Sequence, residues 1–141
     1  MRGARGAVFG RGAIFTVGLV GAVAVVVAGF LPNPYLMYVR NIAPPHGYPL
    51  DIVLWLLLLI TIQGLLSYAI LRPASYRRSY WRAWAVLLLA LPFSLLAVVS
   101  AMHAPPPVVA YIYWSFAVIA GALALALWSS VMALRARFAV R

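Results

Sequence analysis

Ten of the chain's eleven basic residues, all of them arginines, fall at three places. Arg2, Arg5 and Arg11 lie near the start, Arg72, Arg77, Arg78 and Arg82 in one short middle stretch, and Arg135, Arg137 and Arg141 near the end. Between them run four apolar stretches, 13–31, 52–71, 83–102 and 108–134, and none holds a charged side chain. A bilayer core of about 30 Å is crossed by about 20 apolar residues in a helix. Lipid cannot hydrogen-bond an open backbone, so each such stretch must be helical. The expected fold is all-α, a polytopic membrane protein built as a four-transmembrane-helix bundle within one domain, 1–141.

Composition agrees. Hydrophobic residues make up 67% of the 141 and charged residues 9%, against roughly 25% charged in a soluble domain. So few charges would not cover a soluble surface, whereas a bilayer asks for an apolar one. Position 13–31 has a second reading. Three arginines, an apolar run and Val26-Val27-Ala28 resemble a signal peptide, but the run is longer than a usual signal core, and the expectation is that it stays as the first span.

Orientation follows from the arginines, because cytoplasmic loops of membrane proteins carry the excess of basic residues. The connections 32–51 and 103–107 carry only Arg40 and Asp51 as fixed charges, and the other three segments carry ten arginines. Both termini and the middle connection are expected in the cytoplasm, in a bacterial-type inner membrane. Aromatic residues collect at the same boundaries, where amphipathic rings settle. Tyr35, Tyr38, Tyr48, Trp55, Tyr111, Tyr113 and Trp114 are expected at the outer interface, and Tyr76, Tyr80, Trp81, Trp84 and Trp128 at the inner one.

The net charge of +10 does not point to nucleic acid. The arginines flank apolar runs and form no continuous basic face with base-stacking aromatics. Anionic headgroups on the cytoplasmic side are the simpler partner, at about 1 kcal/mol per basic residue near the surface. The inner connection, with Arg72, Tyr76, Arg77, Arg78, Tyr80, Trp81 and Arg82, is the candidate inner contact and lipid site. Arginine and large aromatics are also the side chains enriched at interaction hot spots.

Helices in lipid associate through small residues and interhelical hydrogen bonds. Gly18 with Ala22, and Ala24 with Ala28, give small pairs in the first span, and Ala120, Gly121, Ala122, Ala124 and Ala126 give a small face in the fourth. These suit packing within the bundle or contact with another chain, whether a membrane-protein partner or a second copy. The candidate intramembrane polar face comprises Thr61, Gln63, Gly64 and Ser67, with Ser94 from the third span. Tyr68 continues the Thr61 and Gly64 spacing. A buried amide such as Gln63 costs free energy unless bonded. It implies either an interhelical hydrogen bond or a polar pocket for a quinone, lipid or solute headgroup. Pro92 predicts a kink in the third span, with Ser94 placed to serve the freed carbonyl.

Chemistry is largely excluded. There is no cysteine and one acidic residue, which rules out thiol chemistry and paired-carboxylate catalysis. No span holds the ionisable group on which proton-coupled transporters rely. Arg40, His46, Asp51 and His103 form a candidate outer-turn site, but their spacing supports no metal centre. Asp51 precedes the second span and is expected to cap it or to pair with Arg40. No cofactor is expected. The expected function is non-catalytic action through protein contacts, as an accessory or assembly subunit of a membrane complex or as an immunity protein against a membrane-acting toxin. The alternative is a small oligomeric channel or transporter, with a pore lined by Thr61, Gln63, Ser67 and Ser94.

Overall fold

The computed structural model describes residues 2–41, 47–71, 80–99 and 105–139. Four helices carry the chain: α1 (Arg2–Ala28), α2 (Leu50–Ile70), α3 (Tyr80–Val99) and α4 (Pro106–Phe138). A short π-helical turn, Tyr35–Val39, follows α1, and no strand occurs among the described residues. The expected apolar stretches fall on these helices, with limits shifted by a few residues. α1 is the exception, because its helix runs back to Arg2 and takes in the arginine-bearing start.

By length and composition α2 and α4 are able to cross a membrane, and Gly12–Ala28 and Tyr80–Leu96 are shorter apolar stretches of α1 and α3. α1 and α3 pack on opposite sides of the α2–α4 pair, and α3 lies most closely on α4. Two apolar clusters mark the ends of the bundle. One gathers Val25, Val53, Leu56, Ile60, Val108, Tyr111 and Trp114. These come from the end of α1 and the first halves of α2 and α4. The other gathers Leu71, Val86, Leu87 and Ala122, with Ile14 packed against it. The helices therefore alternate in direction, and the first half of α1 lies at the same end as the second half of α4.

Local signals account for the boundaries. Pro105 in extended conformation precedes α4, and Pro106 and Pro107 open it, where the missing amide hydrogens have no helical partner to lose. After α1 the chain turns through Gly29 and Phe30, whose amides bond back to carbonyls of the last turn. Asn41 adopts φ 53°, a left-handed conformation that asparagine tolerates better than most side chains. Pro49 precedes α2 with no side-chain cap, and Asp51 lies inside the first turn. It is thus exposed and acts on the positive helix end by position, in place of the expected cap. Arg40 is exposed as well and forms no ion pair with it among the described residues.

α1 is attached by two aromatic rings. The Trp114 indole donates from Nε1 to the Val17 carbonyl at 2.9 Å, and the Tyr48 hydroxyl donates to the Val26 carbonyl at 2.8 Å. Each ring sits over a glycine. A Cβ on Gly21 would lie 2.5 Å from Trp114 Cε2, and one on Gly29 would lie 2.5 Å from Tyr48 Cε2. Glycine here removes the atom that would hold the ring off the backbone. Phe30 adds a tilted contact with Tyr48, centroids 4.7 Å apart.

Two expectations about aromatics are corrected by this packing. Tyr111 is fully buried and Trp114 nearly so, and their rings meet at 5.5 Å inside the core. They are bundle residues and not interface anchors. Tyr38, Trp55, Tyr113, Trp81 and Trp128 do remain exposed. Trp84 donates from Nε1 to the Ser130 hydroxyl at 3.1 Å, joining α3 to α4.

Candidate functional site

Most hydroxyls of the helices are satisfied on their own backbone. Thr16 donates to the Gly12 carbonyl, Thr61 to Leu57, Ser94 to Ala90, Ser129 to Leu125 and Ser130 to Ala126, each at 2.7–3.0 Å. A hydroxyl one turn along reaches the carbonyl four residues back, and no partner helix is needed. Ser94 thereby bonds Ala90 and not Leu88, whose carbonyl loses its amide partner because Pro92 has no N–H. The expected role of Ser94 at the proline is not found.

Gln63 differs from these. It is 3% exposed, two turns before the end of α2 and about 10 Å from it. Its Oε1 is buried with no hydrogen-bond partner among the described residues. The amide is too long to fold back as a hydroxyl does, and every helical N–H nearby is already used. The buried face of α2 carries Val53, Leu56, Ile60, Gln63 and Ser67, the stagger expected of one side of a helix. Gln63 and Ser67 thus look inward and Thr61 looks outward.

What Gln63 and Ser67 look into is an open cleft of about 1380 Å³ between α1, α2 and α4, with Val86 as the contribution of α3. Small-molecule pockets usually measure about 300–1,000 Å³. Thr16, Val17 and Gly18 line it from α1, Ile60 and Gly64 from α2, and Trp114, Gly121, Ser129 and Arg135 from α4. Apart from Arg135 the lining holds no charged side chain among the described residues. Arg135 lies about 21 Å along α4 from Gly121.

The expected polar face is therefore divided. Gln63, Gly64 and Ser67 share the cleft, whereas Thr61 and Ser94 do not line it. The side chains named for a pore are not gathered around one space within this chain. Two features of the cleft had no sequence signal. Nothing in the sequence showed that Gly64 and Gly121 face the same space, or that Trp114 closes its end.

A second group of residues lies where α3 begins. Tyr80 and Trp81 are exposed, and the Arg82 guanidinium stands 5.4 Å from the centre of the Trp81 ring. Arg82 Nε and Nη1 are buried and have no hydrogen-bond partner among the described residues. Arg135 and Arg137 occupy the last turn of α4 at the same end of the bundle, both exposed. Arg72, Tyr76, Arg77 and Arg78 of the candidate inner site, and His46 and His103 of the candidate outer-turn site, lie outside the described residues. No group of three metal-binding side chains occurs among the residues that are described.

The arrangement offers hydrogen-bonding and apolar contact in the cleft, and at one end of the bundle guanidinium groups with no ion-pair partner among the described residues. Comparison with protein families, with characterised proteins and with solved structures finds no match to this chain.

Proposed function

We propose that the chain is a four-span protein of a bacterial-type inner membrane, with both ends and the α2–α3 connection in the cytoplasm. It acts without catalysis, through contacts made at that cytoplasmic face. Its role is that of an accessory or assembly subunit of a membrane complex, or of an immunity protein against a membrane-acting toxin.

The observation that carries the reading is the surplus length of α4. The helix has 33 residues and no charge before Arg135 and Arg137 in its last turn, and a bilayer core takes about 20. The remainder extends a basic helical arm past the apolar slab, at the end of the bundle where α3 opens with Tyr80, Trp81 and Arg82. Arg82 strengthens the reading. Its Nε and Nη1 are buried with no partner among the described residues, and a partly desolvated guanidinium binds an anion at lower further desolvation cost. Acidic side chains of a partner, or anionic headgroups beside it, supply that anion.

The test is recovery of the full chain from its native membranes in mild detergent, with co-purifying proteins identified by mass spectrometry. The subunit version expects one stoichiometric membrane protein, depleted when Arg82, Arg135 and Arg137 are changed to glutamine. A chain that comes out alone sinks that version. The immunity version is then decided by whether expression protects susceptible cells from a membrane-acting toxin.

A further inference from the structure

The glycines of the bundle fall into two kinds. Gly21 and Gly29 are each occupied by an aromatic ring. Gly18, Gly64 and Gly121 have nothing within 4 Å of where a Cβ would stand, and all three line the cleft. Glycine weakens a helix interior relative to alanine. Three of them, one on each wall and packing against nothing, keep a space open. Gln63 lines the same space, and its Oε1 is buried with no hydrogen-bond partner among the described residues. A buried acceptor costs free energy until a donor reaches it.

We infer that the cleft holds a long-chain lipid with an uncharged headgroup, whose hydroxyl hydrogen-bonds the Gln63 side-chain amide once that amide turns its Oε1 into the cleft. The walls select for this chemistry. The cleft is larger than a small-molecule pocket and almost wholly apolar, which suits a hydrocarbon chain. It contains no carboxylate, so a cationic headgroup finds no counter-ion. An anionic headgroup would be held at Arg135, and Gln63 would then face only hydrocarbon. A neutral hydroxyl headgroup alone meets the amide and leaves its chain against the apolar walls. Diacylglycerols and long-chain quinols share this chemistry. The inference rests on the membrane placement proposed above and not on the contact role.

The test uses the full-length chain in mild detergent. Thermal unfolding is followed with dioleoylglycerol, with a long-chain quinol and with dioleoylphosphatidylglycerol as separate probes. One of the two neutral probes is expected to raise Tm, and which one does so identifies the headgroup. The shift is expected to vanish in Gln63→Leu and in the double variant Gly64→Leu, Gly121→Leu. The Tm of these variants without lipid does not fall, because leucines at 64 and 121 enter open space and Gln63→Leu removes a buried polar atom that has no partner among the described residues. Native mass spectrometry is expected to show one lipid per chain in the parent and none in the variants. The inference is overturned if neither neutral probe shifts Tm, or if the shift survives both variants. It is also overturned if the anionic probe gives the larger shift and Arg135→Gln abolishes it. Should the double variant fail to fold, Gln63→Leu decides alone. Flotation with native membranes separates the two readings, since a chain that does not float removes the membrane placement whatever the lipid result.

Discussion

At the scale of single residues, the same amino acid does opposite work in different surroundings. Gly21 lies under the Trp114 indole, which is nearly buried and bonded to Val17. A methyl group there must push the ring away and break that bond. Gly21→Ala is expected to destabilise the bundle by about 1–3 kcal/mol, the usual cost of forcing atoms into a packed site. Gly64→Ala meets open space and is expected to stabilise by about 0.4–1 kcal/mol, through the unfolded chain. Unfolding of both variants in the same detergent checks the pair, and equal effects would contradict the distinction. Tyr111 gives a further case. Its hydroxyl is buried with no partner among the described residues, inside a cluster that is otherwise apolar. Removing an unsatisfied polar group leaves the packing and deletes the cost. Tyr111→Phe is expected to raise stability by about 1 kcal/mol, and a loss of stability would mean that the hydroxyl is bonded in the folded protein.

At the scale of elements, the helices were legible in the sequence and their faces were not. Hydropathy sets where an apolar helix begins and ends, since the slab has a definite thickness. The four expected stretches accordingly lie on α1 to α4. A helix that is apolar all round carries no stripe to say which side packs inward, and so Tyr111 and Trp114 passed for interface anchors. The same blindness covered the cleft. Gln63 announced itself as a costly group, but its inward side was set by the packing of α1 and α4 against α2. One of the two small pairs of α1 misled in a similar way, whereas Ala28 of the other is buried. Gly18 and Ala22 fit a helix-packing motif, yet Gly18 faces empty space and the rings over Gly21 and Gly29 hold α1. That attachment predicts how α1 responds to mutation. Trp114→Phe keeps most of the ring and removes the donor, at an expected cost of about 0.5–1.5 kcal/mol. Tyr48→Phe is expected to cost a similar amount at the other end of α1. Because the two bonds anchor one helix at different points, the double variant is expected to release α1 selectively. Hydrogen exchange of α1 amides would rise well above that of α2 and α4, and uniform exchange across the four helices would refute α1 as a separately held element.

At the scale of the whole molecule, the direction of the chain and the sign of its charges make one joint prediction. The helices alternate, and the first half of α1 shares an end of the bundle with the second half of α4. If arginines stay on the cytoplasmic side, that end is the cytoplasmic one, and the turn holding Tyr38 and Val39 faces outward. The absence of cysteine makes the point directly measurable, since a single introduced thiol is the only one to label. Val39 and Ala139 are both exposed and lie beyond the ends of α1 and α4. Val39→Cys is expected to react with a membrane-impermeant maleimide in intact cells. Ala139→Cys is expected to react only after the membrane is opened. The reverse pattern would invert the topology and put the basic arm of α4 outside. Labelling of both in intact cells would break the alternation. Charge also predicts how the orientation is lost. The connections 32–51 and 103–107 hold one arginine and one aspartate against ten arginines elsewhere, so removing one cluster leaves a large bias. Neutralising Arg135 and Arg137 is expected to leave Val39→Cys labelled from outside. Moving two arginines from the α2–α3 connection into the turn after α1 is expected to yield a mixed population, read as partial labelling at both cysteines. The expected topology should thus resist single changes, because the signal that predicts it is repeated at three points along the chain.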